Sequence, residues 1–569
     1  MNRQQPARQF YDEGVIKRMF DVRSPTRDGV ELSSDIWLPT SEGKHPVILI
    51  RTPYQKTSAL TIYFPKLAEF FAKEGYAVVV QDVRGRGDSD GEFNYFFQEA
   101  DDGYDTVEWL AAQPWANGRV GMMGLSYAGT VQWLAASKKP PHLVCIASTA
   151  PAGDYLDETP YVGGAWQHWW SLLWCNITSG TSYQGNIPNE DWEKILEHRP
   201  LLTADEVMGR KMPLYREWLE HHTLDEYWQR LVFTEKEFRH LDIPALHVTG
   251  WFDGDQPGAM HYWRGMMNHS PSAKDQYLVV GPWDHQQTFI GGEKRKGEME
   301  FGGESIIDNY QMHLDFFDRY LKKKTDKFDY PRVKLYVTGR NEWEEFAAYP
   351  VLSAKIDRLY LSSQGRANSL FGDGRLVETS AGGEQQDHYA FDPKNPVPLN
   401  YLTPGGMYAS DRRALERRDD ILVYTGEPLN AAVEVIGRVS VELFAASDAL
   451  DTDFTASIID VYPDGRAVVL GARVVGIIRA RYRNGFAKTE LLTPGKVEKY
   501  HIDLGHIAHS FELEHRIRVE ISSSAAPTYN PNQNTGNPVA TDTEWRIAHQ
   551  TIYHDAQHPS AVLLPVVIR

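Results

Sequence analysis

The sequence predicts an α/β fold: a parallel sheet with helices on both faces, interrupted by a helical insert and followed by an all-β sandwich. Three observations carry this. Short apolar runs alternate with helical patterns through the first 150 residues, the rhythm of βαβ units. The rhythm stops near Pro151, resumes at Pro244, and beyond about residue 346 gives way to short β-rich runs divided by glycine and proline turns. At 569 residues the chain also exceeds what one core can organise. We therefore expect a core domain from residues 1–150 and 241–345, a helical cap from 151–240, and a β-sandwich from 346–569.

Val30 to Leu38 alternates polar and apolar residues, and Pro39-Thr40-Ser41-Glu42-Gly43 turns the chain. Val47-Ile48-Leu49-Ile50 and Ala77-Val78-Val79-Val80 are continuous apolar runs, the pattern of strands covered on both faces. Between them, Pro65 to Gly75 places Leu67, Phe70 and Phe71 at helical spacing and closes on glycine. A glycine-studded loop, Arg84 to Gly91, precedes a helix from Asp101 to Leu110 that Pro114 closes off. Val120 to Leu125 is too short for a helix, and Leu143 to Ala147 is another strand. In the insert, Trp166, Trp169, Trp170 and Trp174 recur at helical spacing and should share a face. That face either packs the helix onto the core or roofs an apolar pocket over the strand ends, where α/β sheets bind ligands. Pro244 to Trp251 and Gln276 to Gly281 resume the sheet, Gly291 to Gly303 reads as a mobile charged loop, and Met312 to Lys322 as an amphipathic helix. Leu359–Leu361, Ile421–Tyr424, Val439–Phe444, Ala456–Val461, Val468–Leu470 and Arg516–Ile521 supply strands for the sandwich.

Composition narrows the function. Hydrophobic residues make up 42% and charged residues 24%, as in a globular protein. A net charge of −18 and no Lys/Arg stripe argue against a nucleic-acid surface, and Lys322-Lys323-Lys324 merely ends a helix. Two cysteines, Cys145 and Cys175, cannot make a disulfide framework, which favours a reducing compartment. Met1 to Pro6 carries no apolar signal segment and no run is long enough to span a bilayer, so a cytoplasmic protein is expected. No His, Cys or carboxylate cluster has metal-ligand spacing, and we expect neither metal nor cofactor. A homo-oligomer is compatible with all of this.

Chemistry enters at Gly124-Leu125-Ser126-Tyr127-Ala128-Gly129, where an apolar strand meets a helical pattern. A sharp strand-to-helix turn exposes its central residue at the carboxyl edge of a parallel sheet, and flanking glycines allow the close packing it needs. Ser126 is then the candidate nucleophile, although the second glycine of the usual G-x-S-x-G pattern arrives one residue late. A serine needs a base, and the base an acid to orient it, in the chain order Ser, Asp or Glu, His. Asp253 follows one apolar strand and His285 the next. Other histidines fit less well: His247 lies within a strand, and His221 and His222 lie in the insert. An oxyanion hole needs donors aimed at the developing charge. The Tyr127 N–H comes with the turn. Pro53 cannot donate, so the Tyr54 hydroxyl is the second candidate, with simple packing as its alternative.

These segments, together with Arg51-Thr52-Pro53-Tyr54, Asp82 to Gly91, Gly250-Trp251-Phe252-Asp253 and Gly281-Pro282-Trp283-Asp284-His285, resemble the CocE/NonD hydrolases. That family includes bacterial cocaine esterase, α-amino acid ester hydrolases, glutaryl-acylase-like enzymes and, more distantly, X-Pro dipeptidyl peptidases. Its members displace the second elbow glycine as here. The resemblance covers essentially the whole chain. It implies an α/β-hydrolase domain with an inserted helical cap and a C-terminal jelly roll. It also implies Ser126 as nucleophile, His285 as base, Asp253 as its orienting acid, and Tyr54 with the Tyr127 N–H as oxyanion hole. α-Amino acid ester hydrolases share a carboxylate cluster for the substrate ammonium, but in Asp253-Gly254-Asp255-Gln256 only Asp255 could serve. We thus expect a cofactor-independent serine hydrolase of small-molecule esters, with Trp166, Trp169, Trp170, Phe252 and Asp255 as candidate substrate contacts. The rivals are an amidase or acylase with the same triad, an X-Pro dipeptidyl peptidase-like enzyme, and a binding protein with a dead hydrolase domain.

Overall fold

The computed structural model describes residues 8–12, 16–185, 191–324, 330–380, 385–399 and 409–568; Met1 to Pro6 lies outside them. An eleven-stranded sheet organises the first part of the chain. Its strands in chain order are β1 (Arg8–Asp12), β2 (Ile16–Pro25), β3 (Glu31–Pro39), β4 (His45–Thr52), β5 (Ala77–Asp82), β6 (Ala116–Leu125), β7 (Leu143–Thr149), β8 (Ala245–Phe252), β9 (Gln276–Asp284), β10 (Val333–Val337) and β11 (Glu342–Phe346). Across the sheet they run β1-β2-β3-β5-β4-β6-β7-β8-β9-β10-β11. From β5 to β10 neighbours are parallel; β1, β2, β3 and β11 pair antiparallel at the edges.

Period-two alternation divides the apolar strands between two cores. Val47 and Leu49 pack with Val107, Leu110 and Val131 on one face. Ile48 and Ile50 pack with Phe64, Leu67, Phe71 and Phe317 on the other. The helices responsible are Glu99–Ala111 and Tyr127–Ser137 on the first face, and Phe64–Lys73 and Asn309–Phe317 on the second. β3 departs from the expected alternation: Leu32 to Leu38 are all buried, Ser33, Ser34 and Asp35 among them. Polar partners make this possible, since the Ser33 amide donates to Ser89 Oγ at 2.8 Å and Lys56 Nζ lies 3.9 Å from Asp35.

The insert is mainly short helices, with His168–Thr178 the longest among the described residues. It also holds a small ladder, Tyr161–Val162 against Ala165–Trp166, where helix alone was expected. The Gly291 to Gly303 segment is likewise more ordered than its composition suggests. It forms an Arg295–Lys296/Met299–Glu300 ladder, and Lys296 Nζ pairs with Asp284 at 2.6 Å. The helix expected from Met312 to Lys322 stops at Phe317 and widens into a π-type turn at Asp318–Lys322. There Arg119 draws the Tyr320 and Leu321 carbonyls onto its guanidinium.

Beyond Ala354 the chain forms an all-β domain around a second sheet system, framed by the long antiparallel pair Val433–Ser447 and Glu498–Phe511. It clasps the cap: the Asn530 amide donates to the Trp166 carbonyl at 2.8 Å, and Arg473 bridges Asp157 and Asp503. Among the described residues, no helix is long and apolar enough to cross a membrane.

Candidate active site

Ser126 sits where β6 becomes the Tyr127–Ser137 helix, with φ 63° and ψ −125°. A non-glycine residue at such a backbone angle costs about 1–3 kcal/mol, which the surrounding packing must offset. The Ser126 amide donates to the Thr149 carbonyl of β7 at 3.0 Å, and its own carbonyl accepts from Gly129 at 2.7 Å and Thr130 at 3.0 Å. The displaced glycine now has a reason. A Cβ on Gly129 would meet the Thr149 carbonyl at 2.6 Å, and one on Gly124 would meet the Ala128 methyl at 2.5 Å. Crossing strand and helix therefore require glycine at 124 and 129, while alanine fits at 128.

Asp253 follows β8 and is fully buried. One of its oxygens accepts from His285 Nδ1 at 2.7 Å and the Asp255 amide at 3.0 Å; the other accepts from the Thr249 hydroxyl at 2.8 Å. The imidazole must donate from Nδ1 to a carboxylate, which leaves Nε2 to act as a base. Burial opposes a charged imidazolium here, but the Asp253 and Asp255 carboxylates outweigh it and push His285 up to about 9. Asp255 Oδ2 lies 3.8 Å from His285 Nε2, on the side facing the cavity. Burial pushes Asp255 itself up to about 7, with His285 pulling the other way.

Ser126, His285, Asp255 and Tyr54 line one cavity of about 370 Å³. The Tyr54 phenol shares the cavity wall with Ser126 and accepts from the Trp174 indole N–H at 3.0 Å. Burial holds it neutral, pushed up to about 12, so it remains a donor. Tyr127 opens its helix, where the first amides have no partner within the helix. Its ring is pinned beneath the site: the hydroxyl lies 2.7 Å from the Tyr95 carbonyl and 2.9 Å from Glu99, which Arg51 holds at 2.5 Å. A phenol has one proton. Burial pushes Glu99 up to about 7, and its protonated form can donate to Tyr127 while Tyr127 donates to Tyr95.

The aromatic candidates divide. Trp169 and Trp170 line the cavity, as do Leu173, Trp174 and Ile177 from the same helix. Trp166 does not. It precedes that helix, is fully buried, and packs on Tyr161 and Tyr215 as an anchor between cap and β domain. Phe252 is also turned away, because alternation at the end of β8 sends it into the core against Phe301 while Asp253 faces the site. Sequence reasoning missed Glu158, a buried carboxyl on the cavity wall that accepts from the Gly153 and Asp154 amides at 2.8 Å and from Gly258 at 2.9 Å. Burial and the nearby Asp255 push it well above the ordinary carboxylate range. Nothing in its local sequence marks it; only the fold brings it beside Asp255.

Comparison with known proteins places this architecture. Residues 28–287 match the X-Pro dipeptidyl-peptidase (S15 family) model, and residues 326–563 match the X-Pro dipeptidyl-peptidase C-terminal non-catalytic domain. The chain is 34% identical to cocaine esterase of Rhodococcus sp. strain MB1 Bresler, over 96% of this chain and 98% of that one. An α-amino acid ester hydrolase superposes with a TM-score of 0.86 at 26% identity, covering 99% of this chain and 98% of that chain. An aminopeptidase from the marine sediment archaeon Thaumarchaeota archaeon gives 0.86 and 26%, covering 100% and 99%. Fold and relatives together define an α/β hydrolase with a C-terminal all-β domain. The chain belongs to the CocE/NonD family and is a serine hydrolase of carboxylic esters.

Proposed function

We propose that Ser126 is the nucleophile, His285 its general base and Asp253 the acid that orients the base. Attack of Ser126 Oγ on the ester carbonyl gives a tetrahedral oxyanion that accepts hydrogen bonds from the Tyr54 hydroxyl and the Tyr127 amide. His285 takes the serine proton and returns it to the leaving alcohol. Water, deprotonated by the same imidazole, then releases the acid. The observation carrying this reading is the 2.7 Å His285–Asp253 bond at the cavity that Ser126 also lines. The two cysteines, both unbridged and buried, favour a reducing compartment, and we place the enzyme in the cytoplasm.

The indoles of Trp169, Trp170 and Trp174 wall the cavity, so the acyl group is apolar, most favourably aromatic. A second reading adds an α-ammonium to that acyl group, favoured by Asp255 and Glu158 on the same wall and by the substrates that the names of the ester hydrolase and aminopeptidase relatives imply. Burial holds both carboxyls toward their neutral forms; an incoming cation would favour their ionised forms. Methyl esters of acetate, phenylacetate and phenylglycine separate these readings. Phenylacetate should exceed acetate in kcat/KM by about tenfold or more, as burial of an aromatic ring predicts. If the ammonium is read, Asp255→Asn should lower kcat/KM for phenylglycine about tenfold relative to phenylacetate; equal effects on both would remove that reading. The matching amides distinguish an esterase from an acylase.

The electrostatics give a pH profile. Only the neutral imidazole can act as base, so kcat/KM should rise with pH along a limb with its midpoint near 9, set by the raised His285. Asp255 contributes to that raised value. Asp255→Asn should therefore move the limb to lower pH, measured on an uncharged ester; a limb that stays in place would show that Asp255 does not act on His285.

A further inference from the structure

The glycine-studded Arg84 to Gly91 loop and the polar edge of Trp174 lie outside the triad, yet both converge on Tyr54. A phenol hydroxyl can rotate about its C–O bond, so an oxyanion hole that uses one must fix where its hydrogen points. The indole N–H is a donor only. In the 3.0 Å contact between Trp174 Nε1 and Tyr54 Oη, the phenol oxygen must therefore be the acceptor. Its own hydrogen is left to point away from the indole, and the cavity it shares with Ser126 is where a substrate oxygen would meet it. A hydroxyl that accepts a hydrogen bond also becomes a stronger donor. Resting on the site assignment above, we propose that Trp174 is a positioning residue of the oxyanion hole, through which the cap aims and polarises the Tyr54 hydroxyl.

Two features hold that contact in register. Trp174 is 7% exposed and packs in a cluster with Trp170 and Trp218, with ring centroids 6.0 and 5.6 Å away, so its indole has little freedom to turn. The second is Arg86, fully buried, whose guanidinium donates to the Pro53 carbonyl at 2.6 Å, to Thr178 at 2.9 Å and to Ile177 at 3.1 Å. Ile177 and Thr178 end the helix that carries Trp174, and Pro53 precedes Tyr54. A cation suits the negative end of a helix dipole, and here it ties that end to the oxyanion loop. The donor and its acceptor thus sit on segments joined by one side chain.

A double-mutant cycle on 4-nitrophenyl acetate, whose small acyl group makes little use of the indole wall, tests this. Trp174→Phe should lower kcat about tenfold with KM within about twofold. In a Tyr54→Phe background, which has no hydroxyl to aim, the same change should lower kcat less than twofold. Equal factors in the two backgrounds would overturn the proposal, as would a raised KM with kcat unchanged, the behaviour of a residue that only lines the pocket. Should Trp174→Phe fold poorly, benzothienylalanine in place of Trp174 keeps the bicyclic shape without the N–H and should show the same coupling. Ser126→Ala is the control. If it retains activity, the site assignment and this proposal fall together. If it is inactive while the cycle shows no coupling, only the proposal fails.

Discussion

Ser126→Ala should lower kcat for ester hydrolysis by about 10⁴-fold or more, with little change in substrate affinity. Loss of the nucleophile in a triad of this kind removes nearly all the catalysis the triad supplies as a unit, leaving only what the oxyanion donors and substrate positioning provide. Stability should not suffer. The hydroxyl carries little of the local structure, which rests on the backbone bonds to Thr149, Gly129 and Thr130. Alanine is also no worse than serine at the strained φ of 63°. A purified variant that unfolds with the wild-type transition yet has lost its turnover is the expected result. Retention of more than about a hundredth of the activity would mean that another residue attacks the ester.

Asp253→Asn should cost about 10⁴-fold in kcat near pH 7. The substitution keeps the shape and offers an amide where His285 Nδ1 now donates at 2.7 Å. Because the Thr249 hydroxyl and the Asp255 amide also donate to this carboxylate, the new NH₂ group cannot satisfy every neighbour at once. It turns the imidazole toward the tautomer whose Nε2 carries hydrogen and cannot accept one from serine. The same change deletes the largest influence raising the His285 pKa. What activity remains should show its acid limb at lower pH than the wild type. Loss of activity with an unmoved limb would point to a structural role for Asp253 alone.

The parts of the site legible in the sequence are those that local geometry imposes. Gly124 and Gly129 could be read because a Cβ at either position collides with a neighbour whose place the crossing of strand and helix dictates. Asp253 and His285 could be read because a polar residue just past an apolar strand lies at the sheet's carboxyl edge whatever surrounds it. What was lost depended on tertiary placement. Trp166 and Trp174 look alike as tryptophans spaced eight apart, but the helix begins only at His168, so one anchors the cap and the other faces the cavity. Phe252 adjoins Asp253 in sequence and points into the core by simple alternation. Glu158 joins the site across about a hundred residues, through its bond to Gly258. In the β domain, Glu498–Phe511 was not anticipated as a strand: the alternation of Tyr500, Ile502 and Leu504 with His501 and Asp503 is short and breaks at Gly505-His506. Its pairing with Val433–Ser447 continues through that break by a shift of register.

The central claim is that the ester is attacked by the hydroxyl at the strand-to-helix turn. Treatment with a fluorophosphonate followed by intact-mass measurement and peptide mapping tests it most directly. One adduct per chain, carried on Ser126, formed in step with loss of activity and absent from Ser126→Ala, is the predicted result. Stoichiometric loss of activity with the adduct on any other residue, or with Ser126 unmodified, would contradict it.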